Sequence, residues 1–263
     1  MQSLKRKHVV ITGASGGLGE KIAYEVAKRG GTVTLIARTV EKLNVIAQQI
    51  KDQYKVECYT YELDVSQVER VQHTFTQITQ EVGSIDILVN NAGFGIFESV
   101  EEAKLEDIEA MFQVNVLGLI ACTKMVLPHM IKRNEGHIIN IASQAGKLAT
   151  PKSSGYAATK HAVLGFTNSL RMELSKTNVY VTAVNPGPIQ TNFFTIADSS
   201  GKYEKSVEKF MLDPNMVAKK IVNAMMTKKR EINLPGWMGV GSTLYQLAPK
   251  LVEKLAGNAF HRK

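Results

Sequence analysis

Tyr156 and Lys160 stand four residues apart at the end of the stretch Ser143–Lys160, SQAGKLATPKSSGYAATK. On a helix, a four-residue step puts both side chains on one face. An ammonium beside a phenol has one chemical use above others: it favours the phenolate. A free tyrosine titrates near ~10. A cation at ~4 Å in an effective dielectric of ~20 is worth about 4 kcal/mol, or roughly three pKa units. That would bring the phenol near neutrality, where a general acid or base is useful. Tyr and Lys at this spacing also occur in helices that do no chemistry, so the elements around them decide.

The first such element is His8–Thr12, HVVIT, a β-branched apolar run that reads as a buried strand. Gly13, Ser15, Gly16, Gly17, Leu18 and Gly19 follow in a GxxxGxG turn. Residues 20–29 then show helical spacing of Ile22, Ala23, Val26 and Ala27. Strand, glycine turn and helix form the arrangement in which backbone N–H groups and a helix N-terminus hold a pyrophosphate. The alternative is a tight turn that binds nothing. A second strand, TVTLIA, ends at Ala37, with Arg38 next. An acidic residue here would bind the ribose hydroxyls of NAD; an arginine suits a 2′-phosphate, and Ser15 adds a hydroxyl. The reading is NADP(H) in preference to NAD, against a bland reading of Arg38 as a solvated loop charge.

Residues 41–51 read as a helix and Val56–Leu63 as a third strand, followed by Asp64 and Val65. Asp64 either accepts from an adenine amino group or belongs to a helix start. Asp86–Val89 begins a fourth strand, which runs into Asn90, Asn91, Ala92 and Gly93, small enough for a ribose to lie against the backbone. Residues 105–133 read as mostly helical, with Pro128 near the end. Asn115 inside it, amid apolar neighbours, is either a satisfied structural amide or a deliberate distortion. A fifth strand, Gly136–Ala142, delivers Ser143 to the strand ends where Gly13, Asp64 and Asn90 also arrive. Gly155–Ser175 reads as the helix carrying Tyr156 and Lys160, Val179–Val184 as a sixth strand, and 231–234 as a last one. The sustained alternation gives an α/β fold: one domain with a doubly wound parallel sheet of about seven strands and helices on both faces, Rossmann-like.

Composition narrows the class. At 263 residues, 44% hydrophobic and 21% charged, the chain can bury a large core and is not of disordered type. No uninterrupted apolar run approaches the ~20 residues of a membrane span. Cys58 and Cys122 show no metal-ligand spacing and read as buried thiols of a reducing, cytoplasmic setting; no metal is expected. The net charge of +8 lies almost wholly in residues 202–263, which hold twelve Lys/Arg and five Asp/Glu. Such an end attracts an anionic substrate, a membrane surface or nucleic acid, or is simply a solvated surface. Without zinc-finger spacing or aromatic–basic interleaving, nucleic acid is the weakest partner.

Taken in order, TGASGGLG at 12–19, Asp64-Val65, NNAG at 90–93, Asn115, Ser143, YxxxK at 156–160 and Pro186-Gly187 with Ile189 and Thr191 resemble the short-chain dehydrogenase/reductase family over about residues 8–235. The resemblance implies Tyr156 as proton donor in reduction and Ser143 on the substrate oxygen. It implies Lys160 on the nicotinamide ribose, lowering the tyrosine pKa, and Asn115 holding a water in a relay to Lys160. Ile189 and Thr191 would meet the nicotinamide carboxamide. The implied activity is NADP(H)-dependent interconversion of a carbonyl and a secondary alcohol. A 3-oxoacyl thioester reductase is the alternative; a non-catalytic dinucleotide sensor would not need Asn115, Ser143, Tyr156 and Lys160. An epimerase of the longer related branch is disfavoured by chain length. Ala142 replaces a frequent serine. A homodimer or homotetramer through the helices at 105–133 and 155–175 is implied as well.

Residues 239–263 extend beyond the family's usual core and are similar to the branch around dehydrogenase/reductase family member seven and bacterial oxidoreductases of unassigned substrate. Leu244, Leu247, Leu251 and Leu255 fall at helical spacing and Pro249 interrupts them, so two short helices are expected. They pack on the domain or a second subunit, cover a long apolar substrate's pocket, or rest on a membrane surface.

Overall fold

The computed structural model describes residues 3–198 and 201–260. Residues 199–200, and Arg262 and Lys263 of the basic end, lie outside the described residues; so does the Leu255 side chain. Seven strands form one parallel sheet: β1 (His8–Thr12), β2 (Thr32–Ala37), β3 (Cys58–Glu62), β4 (Ile87–Asn90), β5 (Gly136–Ile141), β6 (Val179–Pro186) and β7 (Glu231–Leu234), in the order β3-β2-β1-β4-β5-β6-β7. The helices are α1 (Gly17–Lys28), α2 (Val40–Tyr54), α3 (Val68–Glu81), α4 (Leu105–Phe112), α5 (Leu119–Arg133), α6 (Ser154–Glu173), α7 (Phe193–Ala197), α8 (Lys202–Val207), α9 (Pro214–Ala224), α10 (Gly236–Leu247) and α11 (Pro249–Phe260).

The unbroken apolar run of β1 follows from burial on both faces. Side chains alternate across a strand, so Val9 and Ile11 enter one core while Val10 enters the other. The first core joins the sheet to α1, α2 and α9 through Ile22, Leu43 and Val217. The second joins it to α3, α5 and α6 through Phe75, Val126 and Leu170. Chain order reverses between β1 and β4, and the crevice beyond the strand ends opens there.

The stretch from Leu105 to Arg133 is not a uniform α-helix. A π-helical turn, Gln113–Gly118, joins α4 to α5, and Asn115 lies within it. By length and apolar character this stretch could cross a bilayer, but half of its most apolar window is buried inside the protein. It is a core helix here. Pro128 stands inside α5. The two short helices expected of the tail are α10 and α11, with the break at Ala248 before Pro249.

Two buried polar networks tie the layers together and were not foreseen from the sequence. Asn90 donates to Thr123 at 3.0 Å and to Asn140 at 2.9 Å, and Asn140 donates to Thr167 at 2.9 Å. These bonds connect β4 and β5 to α5 and α6. His137 on β5 accepts the Met226 N–H at its Nδ1, 2.9 Å away, which leaves Nε2 to donate to Thr182 Oγ1 at 2.9 Å. This fixes the neutral tautomer. Complete burial pushes the imidazole down to about 3. The unfolded chain takes up this proton near pH ~6.5, so the stability is complete above that pH and is lost as pH falls toward 3. In urea titrations across this window, His137→Gln should flatten the acid-side slope by one proton, about 1.4 kcal/mol per pH unit.

Candidate active site

The strand ends bring together the motifs that the sequence scatters over 180 residues. After β1, Gly13 takes a left-handed turn (φ 66°), and a Cβ there would stand 2.8 Å from the Ala92 Cα. The glycine turn and the segment after β4 are thus packed backbone to backbone. Thr12 Oγ1 accepts the N–H groups of Asn91 and Ala92, both at 3.0 Å. The Asn91 side-chain amide donates to the carbonyls of Thr12 and Gly13, both at 3.0 Å. Thr12 had no role in the sequence reading, yet it accepts three of these four bonds. Asn91, read there as a cofactor contact, commits its amide nitrogen to bracing the turn.

Gly16 precedes α1 with open space around its Cα and no side chain capping the helix. The first-turn N–H groups of α1 therefore face the crevice without a capping side chain, an arrangement that fits an anionic pyrophosphate. Ser15 stands beside Gly16 in the turn, and Leu18 and Gly19 are buried in the first turn of α1. Thr191, beyond β6, lies 3.5 Å from where a Gly17 Cβ would be, across the mouth of the crevice. Ile189 is held by a parallel bridge to Leu212. Gly187 donates its N–H to the Leu234 carbonyl at 2.6 Å, and Met238 of α10 packs on it. Arg38 is exposed just beyond β2. Asp64 Oδ1 accepts from the backbone and hydroxyl of Ser66 at 3.0 and 2.7 Å, shaping the turn before α3. Val65 packs against Gly118 of the π-turn.

The four residues expected to do chemistry meet below this crevice. Asn115 Oδ1 accepts the Phe94 N–H at 3.0 Å, and its Nδ2 donates to the Phe94 carbonyl at 2.8 Å and to Thr159 Oγ1 at 3.1 Å. Asn115 is a satisfied amide, and it sits in the π-helical turn. A Cβ at Gly93 would meet Asn115 Oδ1 at 2.8 Å and Lys160 Nζ at 3.7 Å, so only glycine leaves room for all three groups. Lys160 is buried and donates to the Ile141 carbonyl at 2.9 Å. Ser143 follows β5; its Oγ accepts the Ala145 N–H at 3.1 Å, donates to the Pro186 carbonyl at 3.5 Å, and lies close enough to the Tyr156 phenol to oppose its upward shift.

One electrostatic expectation is corrected. Lys160 does not bring the phenol toward neutrality here. Burial raises the Tyr156 pKa; the nearby Ser143 hydroxyl opposes this, and Tyr203 adds to it. The Lys160 ammonium is 5.7 Å from the ring centroid and turned to a carbonyl, and burial lowers it to about 8. Desolvation of both groups outweighs their mutual effect.

The wall above Tyr156 is aromatic, built from the 94–99 and 190–213 stretches. Phe97 meets its ring edge-on at 5.6 Å, and Phe193 stands at 5.7 Å. Tyr203 of α8 packs edge-on against Phe97 at 5.2 Å. The Phe97 N–H donates to the Ala197 carbonyl at 2.8 Å, fastening the post-β4 loop to α7. Aromatic residues at 94–97, 193–194 and 203 were the available signal. Among the described residues no cluster of His, Cys, Asp and Glu has metal-binding geometry.

Residues 7–200 match the family model described as short chain dehydrogenase. The chain belongs to the short-chain dehydrogenase/reductase family. It is 37% identical over 225 residues to an uncharacterized oxidoreductase of Staphylococcus saprophyticus, covering 86% of this chain and 93% of that one. It is 34% identical over 198 residues to the NADP-dependent 3-hydroxy acid dehydrogenase of Schizosaccharomyces pombe, covering 74% of this chain and 76% of that one. A family member from Burkholderia phymatum, solved in complex with NAD, superposes with a TM-score of 0.87 at 25% identity, over 95% of this chain and 96% of that one. Membership makes the chain an oxidoreductase with a dinucleotide-binding sheet. Asn115→Ala removes three hydrogen bonds from the joint between α6, the π-turn and the post-β4 loop. It should lower stability by about 1–3 kcal/mol, read from the urea midpoint.

Proposed function

We propose that this oxidoreductase interconverts an apolar ketone and its secondary alcohol with NADP(H), and that Tyr156 moves the proton. The observation that carries this is the buried Tyr156 phenol beside Ser143, with Lys160 and Asn115 behind it and an aromatic wall in front. In this reading Gly13, Ser15, Gly16, Gly17, Leu18 and Gly19 bind the pyrophosphate half. Arg38 takes the 2′-phosphate, and Asp64 and Val65 lie at the adenine. Asn91, Ala92 and Gly93 flank a ribose. Pro186, Gly187, Ile189 and Thr191 line the nicotinamide side, and Lys160 reaches the nicotinamide ribose.

The bound cofactor supplies or accepts the hydride at the substrate carbon. The chain's residues do the rest. Ser143 and Tyr156 converge on one oxygen position, where their O–H groups hold a carbonyl oxygen. Burial keeps the phenol protonated at neutral pH, the form needed to give its proton as that oxygen gains charge. Lys160, lowered to about 8 by burial, exchanges protons near physiological pH and can restore the phenol's proton. Asn115 positions Lys160 by holding the Phe94 backbone and Thr159. Phe97, Phe193 and Tyr203 offer apolar ring surface, so the groups flanking the carbonyl are apolar.

NADP over NAD is supported by Arg38 and by the named cofactor preference of the fission-yeast relative; the Burkholderia protein holds NAD. Exposed Leu117, Ile131 and Met172 on the helices at 105–133 and on α6 support self-association there. The buried, unpaired Cys58 and Cys122 suit a reducing cytoplasm.

Tyr156→Phe should lower ketone reduction at least 10³-fold, within reach of lost proton transfer, while leaving NADPH binding by fluorescence within about threefold. Loss of both would make Tyr156 a structural residue. Arg38→Asp should reverse the NADPH/NADH preference in kcat/KM by at least tenfold, the scale of one charge-assisted hydrogen bond. An unchanged ratio would remove Arg38 from the 2′-phosphate.

A further inference from the structure

The α10–α11 unit carries a row of large apolar side chains turned to solvent. Trp237, Val240, Leu244 and Leu247 on α10, and Leu251 on α11, are each between 55% and 79% exposed. Their spacing of three and four residues places the α10 members on one stripe. Exposed Phe210, from the segment beyond α8, extends the stripe: its ring meets the Trp237 indole at 6.3 Å. Scattered exposed apolar residues are ordinary, but a contiguous stripe marks a contact surface. The opposite side of α10 is spent on the protein, where Ser242 is buried and Met238 packs on Gly187. The stripe therefore cannot turn inward without releasing α10 from the site.

Charge selects the occupant. The sequence of α10, GWMGVGSTLYQL, has no charged residue. Exposed Lys209, Lys250 and Lys254 flank the stripe in the chain, beside Glu208 and Glu253, and Glu253 accepts a hydrogen bond from Tyr245. At the two ends of the stripe these lysines outnumber the glutamates three to two. An anionic lipid surface complements both features: apolar side chains for the acyl boundary and ammonium groups for the headgroups. The sole tryptophan of the chain sits in the stripe, and indole favours the membrane interface.

We propose that the α10 face, with Phe210 and Leu251, docks the protein on anionic membrane surfaces. Docking places the bilayer beside Gly187 and the end of β6, next to the crevice, so an apolar substrate dissolved in lipid reaches the site without crossing water. The docking itself does not depend on the proposed oxidoreductase reading, because vesicle binding is scored without turnover.

The test uses the full chain with vesicles of phosphatidylglycerol and phosphatidylcholine, and with phosphatidylcholine alone. The expected result is co-sedimentation with the anionic vesicles, weakened at least tenfold by 0.5 M salt, with a blue shift of Trp237 emission. Leu244→Glu with Leu247→Glu should abolish both signals while ketone reduction with soluble substrate stays within about twofold of the parent. Failure of the full chain to sediment with anionic vesicles overturns the proposal. So does sedimentation that the double variant retains. A dimer that the double variant converts to monomer, with no vesicle binding by either, assigns the face to a second copy instead.

Discussion

The structure turns on the clamp between Thr12-Gly13 and Asn91-Ala92. Four hydrogen bonds of 3.0 Å join two strand ends that lie 79 residues apart in sequence. The glycine turn must come within contact of another backbone for these bonds to form, and a side chain at Gly13 would forbid it. Everything on the cofactor side inherits its position from this joint. The turn presents the N-terminus of α1, and the post-β4 segment carries Gly93 to Asn115 and Lys160. The same segment continues to Phe94, which Asn115 grips through both backbone groups. The glycine turn and the Asn115–Lys160 cluster are thus two ends of one hydrogen-bonded piece.

Burial then sets the chemistry. A phenol and an ammonium both removed from water each lose preference for their charged form. The result is a tyrosine that stays protonated and a lysine that gives up its proton near pH 8. In the proposed reaction this pair would hand a proton to an oxygen that becomes negative and then refill the donor. The hydroxyl of Ser143 and the aromatic wall complete a site that is polar at one point and apolar around it. That is the form of a pocket that recognises one functional group and is otherwise indifferent to hydrogen bonding.

Much of this was legible in the sequence. The inner strands were readable because burial on both faces demands apolar runs, while the half-exposed edge strands β3 and β7 follow from the strand–helix alternation; the GxxxGxG turn, NNAG, Ser143 and YxxxK each follow a strand or open a helix. What escaped depends on tertiary placement. The π-turn at Gln113–Gly118 has no propensity signature, and within it Asn115 bonds the Phe94 backbone. Simple Coulomb reasoning gave the wrong direction for Tyr156 because it left out desolvation and let Lys160 face the phenol. The neutral state of His137 rests on Met226 and Thr182, 89 and 45 residues away. Trp237 and Val240 extend the stripe toward the start of α10 from the expected leucines, where only exposure distinguishes a surface row from core. The aromatic wall gathers Phe97, Phe193 and Tyr203 from three separate segments, so no local pattern announces it.

The central claim is that this crevice moves a hydride between NADP(H) and a ketone carbon, with the oxygen held at Ser143 and Tyr156. The most direct measurement supplies the protein with NADPH dideuterated at the nicotinamide C4 and a panel of apolar ketones, and locates the label in the products by mass spectrometry and NMR. The account predicts secondary alcohols carrying one deuterium on the carbinol carbon, in a single configuration. Bound NADPH with unlabelled alcohol, or no alcohol from any ketone in the panel, would contradict it.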